Sequence, residues 1–273
     1  MTRYENICVV GLGYIGLPTA VTLANIGVNV HGVDINPVIV ERINSGQAHI
    51  YEPGLDGLVR SAINSGRLTA VTTPVQADAY IIAVPTPFLH ELKKPDLSFV
   101  ETAADSIAHL LKKGDLIIIE STINVGATEY LNQYLSNIRS DLAFPCENCQ
   151  EPDVYVAHCP ERVLPGNVVH EIIHNDRIIG GVSDQCAREA HYLYKKFVKG
   201  ECTIASNVRL AELCKLTENS FRDVNIAFAN ELSLICDTLK IDVWELIELA
   251  NRHPRVDILS PGPGVGGHCI AVD

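Results

Sequence analysis

Near its carboxyl end the 273-residue chain reads Pro261-Gly-Pro-Gly-Val-Gly-Gly-His268-Cys269, and Cys269 differs from the other cysteines by lying in a loop of glycines beside a histidine. Backbone amides can reach a ligand there, and a thiol in such a loop is a candidate for reaction, not simply core filler. Upstream, Lys215, Asn219 and Arg222 stand four and seven residues apart, so a helix brings them to one face. A solvated polar stripe has the same spacing.

At the other end, Gly11-Leu-Gly13-Tyr-Ile-Gly16 follows the strand-like run Ile7 to Val10 and opens a helical pattern, while Asp34 closes the next strand. This is the order a dinucleotide turn requires. Gly11 permits the tight turn, Gly13 lets the backbone approach a pyrophosphate, and Gly16 lets helix and strand pack closely, with the helix amino end facing the anion. Asp34 is placed to accept hydrogen bonds from the ribose hydroxyls; its charge repels a 2′-phosphate and so favours NAD over NADP. Val84-Pro-Thr86 and Glu120-Ser-Thr122 end two further strands, where open α/β sheets bind ligands, although threonines there also serve as ordinary turn formers. A hydride acceptor, a lysine and a loop cysteine suit one chemistry in particular. A thiolate adds to an aldehyde, the thiohemiacetal yields a second hydride, and water releases the resulting thioester as an acid.

The elements that must position these groups alternate short β-branched runs with longer helical patterns, the sign of βαβ units. Strands are expected at Ile7 to Val10, Val28 to Val33, Ala79 to Val84, Leu116 to Ile119, Val154 to Ala157 and Cys202 to Ile204. Helices are expected at Leu17 to Asn25, Pro37 to Ser45, Leu97 to Leu111, Thr128 to Ile138 and Gln185 to Val198, with Asn36 capping the second. After Asn207 apolar residues recur at helical spacing through Leu210, Leu213, Leu216, Phe221, Val224, Phe228, Leu232 and Ile235, with no proline before Pro254. One helix of roughly 30 residues, about 45 Å long, fits that run and suits a spine between domains or subunits. A shorter helix over Val243 to Asn251 follows. The fold class is thus α/β: a Rossmann-like doubly wound parallel sheet over residues 1–205, then a long-helix all-α region over 206–273.

Composition narrows the partners. A net charge of −12 argues against nucleic acid, whose binding depends on clustered Lys and Arg. No apolar run approaches the roughly 20 residues of a membrane span, and the start lacks the order of a signal peptide, so a cytoplasmic protein is expected. Nine cysteines scattered through apolar segments read as reduced thiols. Cys146 and Cys149 form a lone C-x-x-C without a second ligand pair, and no metal is expected.

Four segments carry a resemblance: Gly11-Leu-Gly-Tyr-Ile-Gly-Leu-Pro18; Cys159-Pro-Glu-Arg-Val-Leu-Pro-Gly166; Glu212 to Glu231; and Asn251-Arg-His-Pro-Arg-Val256 with Pro261 to Asp273. Over essentially the whole chain they resemble the UDP-glucose/GDP-mannose dehydrogenase family. The resemblance implies an NAD-dependent oxidation of the C6 hydroxymethyl of a UDP-sugar through a thioester on Cys269. It implies Lys215 as proton donor and acceptor at O6, Asn219 as a holder of the oxyanion, Glu161 as the acid assisting thioester hydrolysis, and Asp273 as the carboxylate that positions water with Lys215. Substrate grip is implied for Arg162, Val163, Lys215, Asn219, Arg222, His253, Arg255 and Gly266, with Arg255 reaching across to a neighbouring subunit. Tyr14, Ile15, Asp34, Thr86, Thr122 and Thr128 complete the implied cofactor set, and a homodimer through the helix near 207–239 is implied as well.

Two departures from the family pattern bear on these expectations. Many members that oxidise UDP-glucose carry lysine before the final aspartate, whereas Val272 stands here, so the branch acting on UDP-N-acetylmannosamine is expected, with UDP-N-acetylglucosamine or UDP-glucose as alternatives. Family members also continue into a second Rossmann-like domain that binds much of the UDP, so residues 1–273 alone are expected to bind NAD and dimerise but to turn over weakly or not at all. Three rivals remain open. A β-hydroxyacid dehydrogenase also joins a dinucleotide domain to a helix with Lys and Asn but needs no cysteine. A short-chain dehydrogenase reading rests on Tyr192-x-x-x-Lys196. A cofactor-binding and dimerisation module without catalysis is the third.

Overall fold

A computed structural model describes residues 3–89, 91, 93–146 and 151–264. The chain divides into two compact units, Met1–Leu213 and Cys214–Asp273. In chain order the first unit contains β1 (Asn6–Val10), α1 (Gly16–Asn25), β2 (Asn29–Val33), α2 (Pro37–Asn44), α3 (Leu55–Asn64), β3 (Leu68–Val71), β4 (Ala79–Ile82), β5 (Phe88–Leu89), β6 (Lys94–Pro95), α4 (Ser98–Ala108), β7 (Leu116–Ile119), α5 (Ala127–Ile138), β8 (Tyr155–His158), α6 (Val168–His174), β9 (Arg177–Gly181), α7 (Asp184–Tyr194) and β10 (Cys202–Ile204). Helix α8 (Val208–Leu239) begins in the first unit and carries on into the second, where α9 (Val243–Ala250) follows.

Eight of these strands form one sheet in the order β10-β9-β8-β7-β4-β1-β2-β3, and β5 with β6 makes a separate hairpin. Side chains alternate between its faces, and each face is closed by its own core. Ile7, Val9, Ile81 and Ile118 pack with α1, α3, α6 and α7. Cys8, Val10, Ile82 and Ile119 pack with α4 and α5 on the other side. Burial on both faces explains why these strands read as unbroken apolar runs, and each fully buried Ile or Leu contributes about 2–3 kcal/mol of transfer free energy. The chain builds outward from β1 to β3, then returns to β4 on β1's other side. The crevice at the carboxyl ends of β1 and β4 is the place where such sheets hold ligands.

The expected strands and helices are present, with ends shifted by a few residues; Asn36 caps α2, its Oδ1 accepting from Val38 N at 3.0 Å. The sheet departs from an all-parallel one at β9, which pairs antiparallel with β8 through His158↔Gly180 and Ala157↔Gly181. The link from β8 contains only the short α6, and residues 159–167 form a loop at the carboxyl edge, so β9 starts from that same edge. Its first residue, Arg177, lies three positions before Gly180 and so projects beyond the end of β8. β3, β5, β6, β9, α3 and α6 were not anticipated by the periodicity.

Helix α8 has 32 residues, about 48 Å at 1.5 Å per residue. Of its expected apolar series, Phe221, Val224, Phe228 and Ile235 are 66%, 66%, 50% and 51% exposed. In the second unit, Asp242 caps α9 by accepting from Trp244 N at 2.8 Å, and Asn251 holds the turn over 252–257 through paired bonds with the backbone of Ile258. Among the described residues no helix is long and apolar enough to cross a membrane.

Candidate active site

The glycine turn after β1 is closed against its neighbours. Gly11 N donates to Val33 O at 2.8 Å, and Gly11 has φ +94°, a backbone conformation side chains disfavour. A Cβ on Gly11 would stand 2.5 Å from Ala83 O, and one on Gly16 only 1.7 Å from Gly11 O. The position of a Cβ on Gly13, by contrast, has nothing within 4 Å, so the backbone is open there. No side chain caps the amino end of α1, which leaves its amides for an anion. Asp34 is oriented by two amides: Oδ1 accepts from Asn36 N at 2.9 Å and Oδ2 from Leu12 N at 3.4 Å. Thr86 Oγ1 donates to Thr122 O at 2.6 Å, tying the loops after β4 and β7 together at the same edge. Tyr14 is exposed and Ile15 half-buried. An open glycine backbone, an uncapped helix and an oriented acid fit a dinucleotide.

Thr128 stands apart from that edge set. It is fully buried, and its amide and hydroxyl both donate to Glu212 Oε1, at 2.9 and 2.6 Å, while Gly126 N donates to Oε2 at 2.6 Å. Glu212 thereby caps α5, a role that no local sequence signal announces, because the two partners are 84 residues apart.

The loop after β8 carries Glu161, Arg162 and Val163. Glu161 Oε1 accepts from Arg162 N at 2.7 Å, and Oε2 pairs with the Arg177 guanidinium. Arg162 donates to Asp176 O, and Val163 is half-buried against the core. Glu52 braces the far end of the loop, accepting from Gly166 N at 2.9 Å. Arg177 lies 5.5 Å from the Tyr194 ring centroid and donates to Ile172 O at 3.2 Å. Burial works against its charge, yet the Glu161 and Glu120 carboxyls hold the guanidinium protonated, above its ordinary value. Sequence reading missed Arg177 because it missed β9; a lone arginine heading the run Arg177-Ile-Ile-Gly-Gly was the available signal.

In the second unit Lys215, Asn219 and Arg222 share one face of α8, and Arg222 donates to Asn219 Oδ1. Lys215 and Asn219 are buried while Arg222 is exposed, so only the Arg222 end of this face is solvated. Arg255 N donates to His253 Nδ1 at 3.4 Å, which keeps these two residues together in the turn after α9. Cys269, Asp273 and Gly266 lie outside the described residues, as does Cys149.

Tyr192 and Lys196 do not form a catalytic pair at the crevice. Lys196 Nζ donates to Tyr4 O at 3.0 Å and also to Arg3 O, and lies over the Tyr4 and Tyr192 rings. They line a groove with Asn29, the first residue of β2, at the opposite edge of the sheet from Gly11.

Comparison with known proteins gives two family matches. Residues 5–198 match the NAD binding domain of the UDP-glucose/GDP-mannose dehydrogenase family, and residues 209–273 match its central domain. An NDP-N-acetyl-D-galactosaminuronic acid dehydrogenase from Ralstonia nicotianae is 61% identical over 99% of this chain and 63% of its own length. A UDP-N-acetyl-D-mannosamine dehydrogenase from Campylobacter jejuni is 59% identical over 100% of this chain and 67% of its own. Among solved structures, a UDP-N-acetyl-mannosamine dehydrogenase from Staphylococcus aureus superposes with TM-score 0.88 at 48% identity, covering 98% of this chain and 63% of that one. The chain thus spans somewhat under two thirds of the length of the Ralstonia relative.

Proposed function

The chain belongs to the UDP-glucose/GDP-mannose dehydrogenase family, and from that premise we propose that the whole protein oxidises the C6 hydroxymethyl of a UDP-linked N-acetylhexosamine to a carboxylate. UDP-N-acetylmannosamine is the favoured substrate. The observation that carries this reading is the carboxyl-edge cradle of Gly11, Gly13, Gly16 and Asp34, joined by the Thr86–Thr122 contact, in a chain whose sequence also holds Lys215, Asn219 and Cys269. Within the cradle Tyr14 and Ile15 line the turn, and Thr128 supports it through Glu212.

NAD, when bound, supplies the hydride acceptor for both oxidations. Lys215 takes the O6 proton as the first hydride departs, and Asn219 holds the developing oxyanion. The Cys269 thiolate adds to the aldehyde carbon, so that the second hydride leaves a thioester. Water then attacks, positioned by Asp273 with Lys215, and Glu161 assists the release of the acid. Arg162, Val163, Arg222, His253, Arg255 and Gly266 hold the nucleotide sugar. The 61% identity to the Ralstonia protein favours a second reading, the same chemistry on an N-acetylgalactosamine epimer. Mass spectrometry and NMR of the products from each epimer with NAD test both. A uronate from the mannosamine compound supports the first, and a uronate from the galactosamine compound alone replaces it.

The exposed stripe of Phe221, Val224, Phe228 and Ile235 on α8 is, in this reading, the homodimer surface. Burying a side chain such as Phe228 stabilises an interface by about 2–3 kcal/mol, so Phe228→Asp is expected to give monomers in sedimentation velocity. A variant that stays dimeric would place the interface elsewhere.

A further inference from the structure

The loop that joins β7 to α5, residues 120–126, is fastened at both ends. At its start Ser121 Oγ donates to Val84 O at 2.7 Å and Thr122 O accepts from Thr86 Oγ1 at 2.6 Å, which ties it to the loop after β4. At its end stands Gly126, the cap of α5, whose φ of +92° is the left-handed conformation that glycine adopts readily. Glycine has no side chain to satisfy the free amides of a first helical turn. Glu212 of α8, 0% exposed, does so instead: Oε2 accepts from Gly126 N, and Oε1 from the amide and hydroxyl of Thr128, at 2.6 to 2.9 Å. Between the two fastenings Val125 is 41% exposed.

The first turn of α8 gives this carboxyl a fixed base. A Cβ on Gly180 of β9 would stand 2.7 Å from Val208 Cα and 2.8 Å from Ala211 Cβ, so glycine lets the helix lie directly against the strand. Glu212 follows Ala211 and is thereby brought to the amino end of α5. That end differs from the amino end of α1. The α1 amides have no side-chain cap, whereas a buried carboxyl already occupies those of α5. An anion is therefore drawn to α1 and kept from α5.

We propose that Glu212 is a positioning residue for the nicotinamide half of NAD: it sets the 120–126 loop in the shape which that half meets. This rests on reading the carboxyl-edge turn as the NAD site. In that reading Asp34 at the end of β2 takes the adenosine ribose, and the amino end of α1 takes the pyrophosphate. The strand order reverses between β1 and β4, so the second nucleotide extends over β4 and β7, where the 120–126 loop stands. A loop already fastened loses little freedom when the ligand arrives, whereas a loop released at Gly126 must be ordered by the ligand, which lowers affinity. The adenosine half, over β1 to β3, does not meet the loop and should not register its release.

Calorimetric titration of the 273-residue chain with NAD and, separately, with ADP, which lacks the nicotinamide half, tests this. In Glu212→Gln the side-chain amide keeps one acceptor oxygen and turns an NH2 donor toward either Gly126 N or the Thr128 donors. NAD should bind about tenfold or more weakly, with ADP within about twofold of the parent. Arg209→Gln is the control. Arg209 joins the same two helices at the surface, donating from Nε and Nη2 to Glu129 Oε2 at 2.8 and 2.6 Å. Its loss should move neither affinity by more than about twofold. ADP binding also reports folding of each variant. Where Glu212→Gln binds neither ligand, Glu212→Asp carries the test: its carboxyl stands one methylene further back, and NAD should again weaken while ADP is retained. A loss that falls equally on both ligands in both variants assigns Glu212 to the fold alone and overturns the proposal, as does an NAD affinity that neither variant lowers. A parent chain that binds neither ligand overturns the NAD reading of the turn as well. A parent that binds NAD more tightly than ADP, with that difference intact in Glu212→Gln, overturns only the role of Glu212.

Discussion

Cys269→Ser should abolish uronate formation, with a loss on the order of a thousandfold or more. A serine hydroxyl is almost wholly protonated near neutrality, whereas a thiol ionises far more readily and its thiolate is the stronger nucleophile. In the proposed mechanism the first oxidation uses Lys215, Asn219 and the cofactor without the thiol, so it should persist. The aldehyde is then captured poorly and released. Adding an aldehyde-trapping amine and counting NADH against uronate gives the readout: the parent yields two NADH for each acid, and the variant at most one NADH with trapped aldehyde. Unaltered acid production by the serine variant would assign the second oxidation to another nucleophile, and a β-hydroxyacid dehydrogenase mechanism, which needs no thiol, would regain its place.

Gly16→Ala should remove NAD binding. The new Cβ would stand 1.7 Å from Gly11 O and 2.9 Å from the Gly11 carbonyl carbon, both backbone atoms of the turn that must face the pyrophosphate. Neither can yield without opening the turn, because Gly11 N is already bonded to Val33 O. The expected cost is about 2–3 kcal/mol of stability and on the order of a hundredfold or more in affinity. Gly27→Ala is the matched control. Gly27 has φ +96°, but nothing lies within 4 Å of its Cβ position. Backbone strain there should cost about 1 kcal/mol and leave NAD affinity unchanged. Thermal unfolding and calorimetric titration separate the two effects, and equal losses of affinity in both variants would show that the turn is not the binding element.

The dinucleotide turn was legible because its signal is local: strand, glycines, helix and Asp34 stand in one short stretch, and each has a task that sequence spacing can express. The long helix was legible for a similar reason, since its period runs unbroken from Val208 to Leu239. What escaped depends on distance along the chain. β3 carries a threonine within Leu68–Val71 and β9 begins with an arginine and ends in two glycines, so neither shows the unbroken apolar run that marks β4 and β7. Without β9 the antiparallel return is invisible, and with it the reason Arg177 meets Glu161. Glu52, Glu120 and Glu212 likewise act on partners far away in sequence, and a carboxylate's partner cannot be read from its neighbours. Thr128 shows a task that resemblance did not announce. Its side chain donates to Glu212 inside the fold, beside the cofactor contact that the resemblance implies for it.

The central claim is that the carboxyl-edge turn of the first unit holds NAD and that Asp34 selects it. Isothermal titration of the 273-residue chain with NAD and, separately, with NADP tests this most directly. A carboxylate fixed by Leu12 N and Asn36 N meets the ribose hydroxyls of the first cofactor and repels the 2′-phosphate of the second. The account predicts one NAD per chain, with NADP bound on the order of a hundredfold more weakly. Equal affinity for the two, or NAD binding that survives Gly16→Ala, would contradict it.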